Sequence, residues 1–235
     1  MLEGARLLRE ALDAGVQLEA VFVSDDAAHS THVDLTVSRA RAAGVPVVVL
    51  ERGVMERVAT TVTPQPVAGV APFVDVALEA VLPATLVVVC VDIRDPGNLG
   101  TVVRSAEAAG AGGVVCCDGS ADLYNPKVVR ASAGSLFHVP VVVGGEPVEI
   151  LERLGAVGLR RFATVARGGD APDAVDLCAP VAIVLGNEAH GLPSAVDARL
   201  DAQLTVPMAG RTESLNVGMV AAVVCFEAAR QRRVG

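Results

Sequence analysis

Residues 85–119, TLVVVCVDIRDPGNLGTVVRSAEAAGAGGVVCCDG, contain the pattern from which the fold can be predicted. The stretch begins with a continuous apolar run, TLVVVCVDI, which is typical of a strand in a parallel sheet that is covered on both faces. A polar loop follows, and TVVRSAEAAGAG predicts a helix that ends at glycine. The next run, GVVCCDG, predicts a second buried strand. Strand, helix and strand in this order indicate a parallel βαβ unit.

The same alternation continues to the end of the chain. Further strands are predicted in VPVVV, RRFATVA and PVAIVLG, and helices in VEILERLGAVG and in the closing segment NVGMVAAVVCFEAAR. We therefore predict an α/β fold with a mainly parallel sheet over residues 85–235. Residues 1–78 contain shorter strands and helices and predict a smaller α/β domain. Residues 79–84 are the best candidate for a linker, because the pattern restarts after them with a stronger strand.

The composition is that of a folded protein. Of the 235 residues, 52% are hydrophobic and 20% are charged, so a buried core is easily supplied. No apolar run reaches the ~18 residues that a membrane span needs, so we expect no membrane association and a cytoplasmic location. The five cysteines lack CxxC spacing and lie in apolar segments, which favours reduced core thiols over disulfides or a metal site.

The net charge of −8 argues against a general nucleic-acid binder, since neutralising phosphates requires clustered Lys or Arg. The objection is limited, because a small basic patch on an acidic protein can still hold a nucleic acid. Lys127 is the only lysine, so any such patch must consist of arginines.

Three polar loops follow predicted strands, at the end of a parallel sheet where ligands bind. They are DIRDPGNLG, VLGNEAHGLP and VPMAGRTESLNVG. Each polar residue also has a plain structural interpretation: Asn98 and Ser214 as helix caps, Glu188 as an acid that balances a helix dipole, and Arg104 as a solvated surface group. Three such loops together favour a ligand site. The GAGG at Gly110 follows a helix and precedes a strand, which is the reverse of a dinucleotide-binding turn.

As a set, NLGTVVRSAEAAGAGGVV, IVLGNEAHGL and VPMAGRTESLNVGMVAAVVCFEAAR resemble the three ordered motifs of the SpoU (TrmH-like) branch of the SPOUT RNA methyltransferases. The segment from LEGARLLREALDAG to VAGVAPF is similar to the small substrate-binding domain, with a ribosomal-protein L30e-like fold, of the rRNA-directed members. The likeness covers nearly the whole chain. The chain starts just short of where that domain usually opens, so we expect its first strand to be missing or rebuilt.

The resemblance implies a SPOUT domain with a deep trefoil knot, which works as a homodimer through this C-terminal domain. It implies S-adenosyl-L-methionine as cofactor and methylation of a ribose 2′-hydroxyl in structured RNA, with rRNA the leading substrate, no DNA and no metal. The closing helix is apolar nearly all round, which fits packing in the knot on one side and against a second subunit on the other.

The resemblance also assigns site residues. The five catalytic candidates are Asn98, Arg104, Glu188, Ser214 and Asn216. The cofactor would be held mainly by the backbone, near Gly186, Asn187, Val206, Met208, Leu215 and Asn216. An arginine is a poor base because its pKa exceeds ~12, so we expect Arg104 to orient the ribose and an adjacent phosphate and to stabilise developing negative charge. Ser214 and Asn216 would fix Arg104 and the methionine end of the cofactor.

Three alternatives remain at this stage. The first is a catalytically silent RNA-binding or ribosome assembly factor with the same fold, which the acidic charge favours and the joint presence of the five candidate residues disfavours. The second is a tRNA 2′-O-methyltransferase, although tRNA-directed relatives typically carry basic terminal helices in place of this N-terminal domain. The third, a generic nucleotide-binding domain, is disfavoured because no phosphate-binding glycine loop is present.

Overall fold

The computed structural model describes residues 1–25, 30–61, 63–212 and 214–234. The chain forms two compact units, Met1–Val74 and Asp75–Gly235. The predicted linker 79–84 lies within the second unit, where Leu78 and Val81 are buried in the apolar core. These two side chains lie three residues apart around a single 3-10 turn, Leu78–Ala80, so the turn places both against the sheet.

The first unit is a four-stranded mixed sheet with helices, as the sequence predicts. Its sheet has the order β1-β4-β2-β3; β2 and β3 are parallel, and β4 is antiparallel to both of its neighbours. The elements are β1 Leu2–Glu3, α1 Ala5–Asp13, β2 Ala20–Ser24, α2 Thr31–Ala42, β3 Val47–Leu50, α3 Met55–Val58 and β4 Val67–Val70. The first strand is only two residues long and forms the edge of the sheet next to β4.

The second unit contains a six-stranded sheet in the order β10-β8-β9-β5-β6-β7, and every neighbouring pair is parallel. The strands are β5 Leu86–Cys90, β6 Gly113–Cys116, β7 Val141–Val143, β8 Arg160–Thr164, β9 Val181–Leu185 and β10 Ala202–Leu204. The helices are α4 Pro96–Ala108, α5 Pro126–Ser132, α6 Pro147–Ala156, α7 Ser194–Asp197 and α8 Val217–Val234. The predicted α/β class with a mainly parallel sheet is confirmed.

The continuous apolar run of β5 is explained by burial on both sides of the sheet. Val87 and Val89 pack with Ile150 and Leu154 of α6 in one core cluster. Successive strand residues point to opposite faces, so Leu86, Val88 and Cys90 point to the other face, where α4 packs on β6 and α8 on β9. All five residues of β5 are buried.

The strand order places a topological switch point beside β5. The chain proceeds from β5 to β6 and β7 in one direction, and then returns on the other side of β5 through β8 and β9. A crevice therefore opens between the loops that leave β5 and β9, which is where open α/β sheets bind ligands. The first two sequence motifs follow these two adjacent strands. The predicted knot does not follow from the strand order and stays a prediction.

Helix α4 is held closely against α5 at one glycine. A Cβ atom at Gly100 would lie 2.6 Å from both the Ala131 Cβ and the Val128 carbonyl oxygen. A larger residue is therefore excluded unless the two helices separate. Among the described residues, no helix is long and apolar enough to cross a membrane.

Candidate active site

A cavity of about 1100 Å³ lies at the carboxyl ends of the strands in the second unit. Small-molecule sites typically enclose ~300–1,000 Å³, so the cavity can hold a nucleoside-sized ligand. Its lining comes from the segments that follow β5, β8, β9 and β10 and from the start of α8. The lining residues are Asp95, Asn98, Thr164, Val165, Ala166, Gly186, Asn187, Glu188, Ala189, Gly191, Leu192, Asp197, Val206, Met208, Ser214, Leu215, Asn216, Val217 and Val220.

The first motif begins α4 with a capped turn. Asp95 is the N-cap: its Oδ1 accepts a hydrogen bond from the Asn98 backbone N–H at 2.9 Å, and Pro96 occupies the first helical turn. The Lys127 Nζ lies 3.0 Å from the Asp95 Oδ2. The hydrogen bond from Lys127 and then that from the Asn98 N–H hold the pKa of Asp95 below its ordinary value. The interpretation of Asn98 as the helix cap is therefore wrong, and its side chain is left to face the cavity.

A hydrogen-bonded chain of side chains joins the three motifs. The Asn98 Nδ2 donates to the Glu188 Oε1 at 2.6 Å, and the Asn98 Oδ1 accepts from the Asn216 Nδ2 at 2.8 Å. The Asn216 Oδ1 in turn accepts from the Gly218 backbone N–H at 2.9 Å. Asn98 thus uses both ends of its amide to tie the loop after β9 to the start of α8. We call Glu188, Asn98 and Asn216 the amide bridge.

The second motif is fastened to the end of β5 by Asn187. This residue is 9% exposed, and its Nδ2 donates to the Asp92 backbone oxygen at 3.0 Å and to the Asp92 Oδ2 at 3.1 Å. Its Oδ1 accepts from the backbone N–H groups of Ala189 and His190. Asp92 itself has a φ of 56°, a conformation that Asp tolerates better than most residues. Because α7 begins only at Ser194, Glu188 is not placed to balance its dipole.

The third motif ends at the N-terminus of α8. The Asn216 backbone oxygen accepts from Met219 N at 2.9 Å and from Val220 N at 3.0 Å, so Asn216, and not Ser214, occupies the capping position. Ser214 is exposed and lines the cavity. The short sequence SLN therefore supplies a cap, one end of the amide bridge and part of the cavity wall.

Arg104 is the one catalytic candidate that does not line this cavity. It is the ninth residue of α4, about 12 Å along the helix from Pro96, and its side chain is exposed. Within the described part of the chain it makes no hydrogen bond or ion pair, including none to Ser214 or Asn216. The structure thus brings together Asn98, Glu188, Ser214 and Asn216, and leaves the Arg104 guanidinium free for a group from outside the chain.

Comparison with known proteins identifies the family. Residues 85–226 match the model of the SpoU rRNA Methylase family, and residues 1–69 match an MRM3-like substrate binding domain. The chain belongs to the SpoU rRNA methylase family. It is therefore an S-adenosylmethionine-dependent methyltransferase, as predicted.

Relatives of this SpoU methylase match over nearly its full length. The Bacillus subtilis protein named 23S rRNA (guanosine(2553)-2'-O)-methyltransferase RlmP is 32% identical over 226 residues, which cover 96% of this chain and 86% of that protein. The solved structure of the SpoU methyltransferase AviRb from Streptomyces viridochromogenes with AdoMet is 27% identical, with a TM-score of 0.85, and covers 100% of this chain and 90% of that one. An AdoMet-bound rRNA methyltransferase from Sinorhizobium meliloti is 30% identical, with a TM-score of 0.82, over 97% of this chain and 85% of that one.

The cavity of this SpoU methylase fits S-adenosylmethionine. The lining includes the predicted Gly186, Val206 and Leu215 together with Asn187 and Met208. A Cβ atom at Gly186 would lie 2.9 Å from the Gly191 carbonyl carbon and 3.0 Å from the Leu192 Cδ2, so only glycine fits this wall. When bound, the cofactor supplies a methyl group on a positively charged sulfonium. Carboxylates that line the cavity suit such a cation; they are Asp95, Glu188 and Asp197.

Several contributing residues were missed by sequence reasoning. Asp95 and Lys127 position the start of α4, Asp92 receives Asn187, and Thr164 to Ala166 add a wall from the end of β8. Asp95 had a detectable signal, because Asp followed directly by Pro is typical of an N-cap and the first helical position. The others become neighbours of the site only through the sheet order, which no local pattern specifies.

Proposed function

We propose that this enzyme methylates a ribose 2′-hydroxyl of 23S rRNA. The support is the Bacillus subtilis relative, whose name states the 23S rRNA nucleotide and the 2′-O position that it methylates. The match to that relative spans both units of this chain. The observation that carries the proposal is the amide bridge. It ties the three motifs of the family around a cavity that fits the cofactor.

The catalytic roles follow from what each group can do. Methyl transfer requires the 2′-oxygen to be held in line with the methyl carbon, and such positioning can supply several kcal/mol of the barrier. Arg104 orients the ribose and an adjacent phosphate with its planar fork and stabilises charge that develops on the oxygen.

The remaining candidates hold the reactants. Asn98, Glu188 and Asn216 keep the cavity in shape through the amide bridge, and Ser214 contributes an exposed hydroxyl to its wall. The backbone near Gly186, Val206 and Leu215 binds the cofactor, with Asn187 and Met208 beside it.

We further propose that the enzyme is a homodimer through its C-terminal domain. Helix α8 exposes Met219, Val223 and Phe226, which are 59%, 43% and 46% exposed and lie at the i, i+4 and i+7 positions of one face. A second copy would cover this apolar face in a self-complementary contact. Helix α4, which carries Arg104, packs against α8, so the free guanidinium lies on a helix next to the proposed interface. Met219→Glu combined with Phe226→Glu is expected to give monomers in light scattering, and a dimer that persists contradicts this interface.

The N-terminal domain, predicted over residues 1–78, is proposed to bind the RNA substrate. Its support is the match of residues 1–69 to a domain that is named for substrate binding. The deep knot over residues 85–235, the linker at 79–84 and a cytoplasmic location remain predictions.

The deciding experiment is a methylation assay on defined RNAs. Purified enzyme with methyl-labelled cofactor is incubated with unmodified 23S rRNA and with tRNA transcripts, and 2′-O-methyl sites are mapped in RNA from cells with and without the gene. We expect one labelled nucleotide in 23S rRNA that disappears when the gene is deleted. Label in tRNA alone points to the tRNA alternative. RNA binding without any label points to the silent assembly factor.

A further inference from the structure

Ion pairs in the second unit engage six of its twelve arginines. The partners are carboxylates on the same or a neighbouring segment, at distances of 2.6–3.5 Å. The pairs are Arg94–Asp92, Arg153–Glu79, Arg160–Asp176, Arg161–Asp201, Arg199–Glu152 and Arg230–Glu227.

Within residues 75–212 and 214–234, three arginines lack any hydrogen bond or ion pair. They are Arg104, Arg211 and Arg233, and all three are exposed. Arg104 has been assigned to the target ribose above. The other two lie near opposite ends of α8, and this difference in position allows their roles to be separated.

Arg233 lies at the end of the sheet away from the cavity. Its neighbour Arg232 donates hydrogen bonds to the backbone oxygens of Thr85, Leu177 and Ala179, all of which precede strands of the sheet. Sixteen residues separate Arg233 from Val217 at the cavity, which corresponds to about 24 Å along a helix.

Arg211 lies in the chain between Met208 and Ser214, two residues that line the cavity. It is three residues from both of them, so its Cα is within about 11 Å of the Cα of each. The carboxylates of the lining are engaged elsewhere: Asp95 with Lys127, Glu188 with Asn98, and Asp197 with Gln203. The guanidinium of Arg211 has no carboxylate partner in the described part of the chain.

A free guanidinium in this position suits an anion that arrives from outside. An arginine fork matches the geometry of phosphate oxygens and can bind them with two parallel hydrogen bonds. Contacts to the phosphates of a nucleic acid position the protein without reading the base sequence. The target nucleotide must reach this cavity, and its flanking phosphates would pass the rim.

We propose that Arg211 binds a backbone phosphate of the substrate RNA at the rim of the cofactor cavity. This inference rests on the proposed RNA substrate. It places one unpaired positive charge near the cavity of a chain whose net charge is −8.

The test compares Arg211→Ala with Arg233→Ala, which removes the same charge at the other end of α8. Binding of an unmodified 23S rRNA transcript is measured over a series of salt concentrations. Loss of one phosphate contact is expected to reduce the slope of log affinity against log salt by about 0.7–0.9, depending on whether the contacted RNA is single- or double-stranded. Loss of one charge-assisted hydrogen bond is expected to weaken binding by ~10-fold. Arg211→Lys is expected to keep the slope and lose part of the affinity, and Arg233→Ala is expected to match the wild type.

A second readout separates this role from cofactor binding. S-adenosylhomocysteine affinity, measured by calorimetry, is expected to be unchanged in Arg211→Ala. A loss of that affinity, or a salt slope equal to that of Arg233→Ala, overturns the proposal. If the wild type methylates neither rRNA nor tRNA, the proposed function fails, while the two slopes still decide whether Arg211 contacts phosphate.

Discussion

The two ends of the parallel sheet use polar residues in opposite ways. At the amino end, Arg161 is fixed to Asp201 by two hydrogen bonds of 2.9 and 2.8 Å. At the carboxyl end, the amide bridge forms the framework, and Arg211 has no partner in the described part of the chain. One end therefore uses paired charges to join strands. The other is held in shape mainly by amides, which leaves charge free for ligands.

The largest effect is expected from removing a free arginine. Arg104→Ala should lower methyl transfer to rRNA by ~10²–10³-fold, the usual cost of losing one group that stabilises transition-state charge. Its affinity for S-adenosylhomocysteine should stay unchanged, because Arg104 does not line the cavity. Rates are measured with labelled cofactor and affinity by calorimetry. Arg153→Ala is the control. Arg153 lies on α6 and pairs with Glu79, so this variant loses an ion pair away from α4 and should remain active. Near-normal transfer by Arg104→Ala would remove Arg104 from the mechanism.

The next effect concerns the amide bridge at the carboxyl end of the sheet. Asn98→Ala deletes the middle of the amide bridge and leaves Glu188 and Asn216 without these partners. We expect cofactor affinity to fall ~10-fold and the free energy of unfolding to fall by only about 1 kcal/mol, since these hydrogen bonds are solvent-accessible. Calorimetry and thermal unfolding measure the two quantities.

A matched variant sharpens this test. Asn98→Asp keeps an acceptor for Asn216 but places a carboxylate against Glu188, so it should lose cofactor affinity as well. If both variants bind like the wild type, the amide bridge does not shape the cavity.

A smaller effect is expected at the amino end. Asp201→Asn removes the ion pair that joins β8 to the start of β10, and should cost about 1 kcal/mol of stability at neutral pH with the activity per folded molecule unchanged. The Arg161 hydrogen bond holds the pKa of Asp201 below its usual value. This stabilisation is therefore present above the unfolded pKa of ~3.9 and is lost as the pH falls through the lowered pKa.

Thermal unfolding measured from pH 7 down to pH 3 checks this dependence. The variant should lose less stability over that range than the wild type does. Two curves of the same shape would mean that Asp201 contributes nothing through its charge.

The contrast between the two ends also explains what could be predicted from the sequence. The run of residues 86–90 predicts a doubly covered strand, because burial on both faces leaves a direct mark on composition. The three motifs and their meeting point could be predicted, since parallel strands end at one side of the sheet. The hydrogen-bond partner of each polar group could not be predicted. The plain structural interpretation predicts Asn98 as the cap, whereas Asp95 holds that position because α4 begins at Pro96.

The smallest effect is expected from a variant that tests whether the helix cap or the ion pair of Asp95 holds the first motif in position. Lys127→Met removes the charge beside Asp95 and keeps most of the side-chain volume. Both groups are about half exposed, so the pair should contribute only ~0.2–1 kcal/mol. The pKa of the Asp95 carboxyl should rise in an NMR titration but stay somewhat depressed, because the Asn98 N–H still donates to it. Cofactor affinity should change less than twofold, since the cap alone keeps Asn98 in place. A loss as large as that of Asn98→Ala would show that the ion pair, and not the cap, holds the first motif in position.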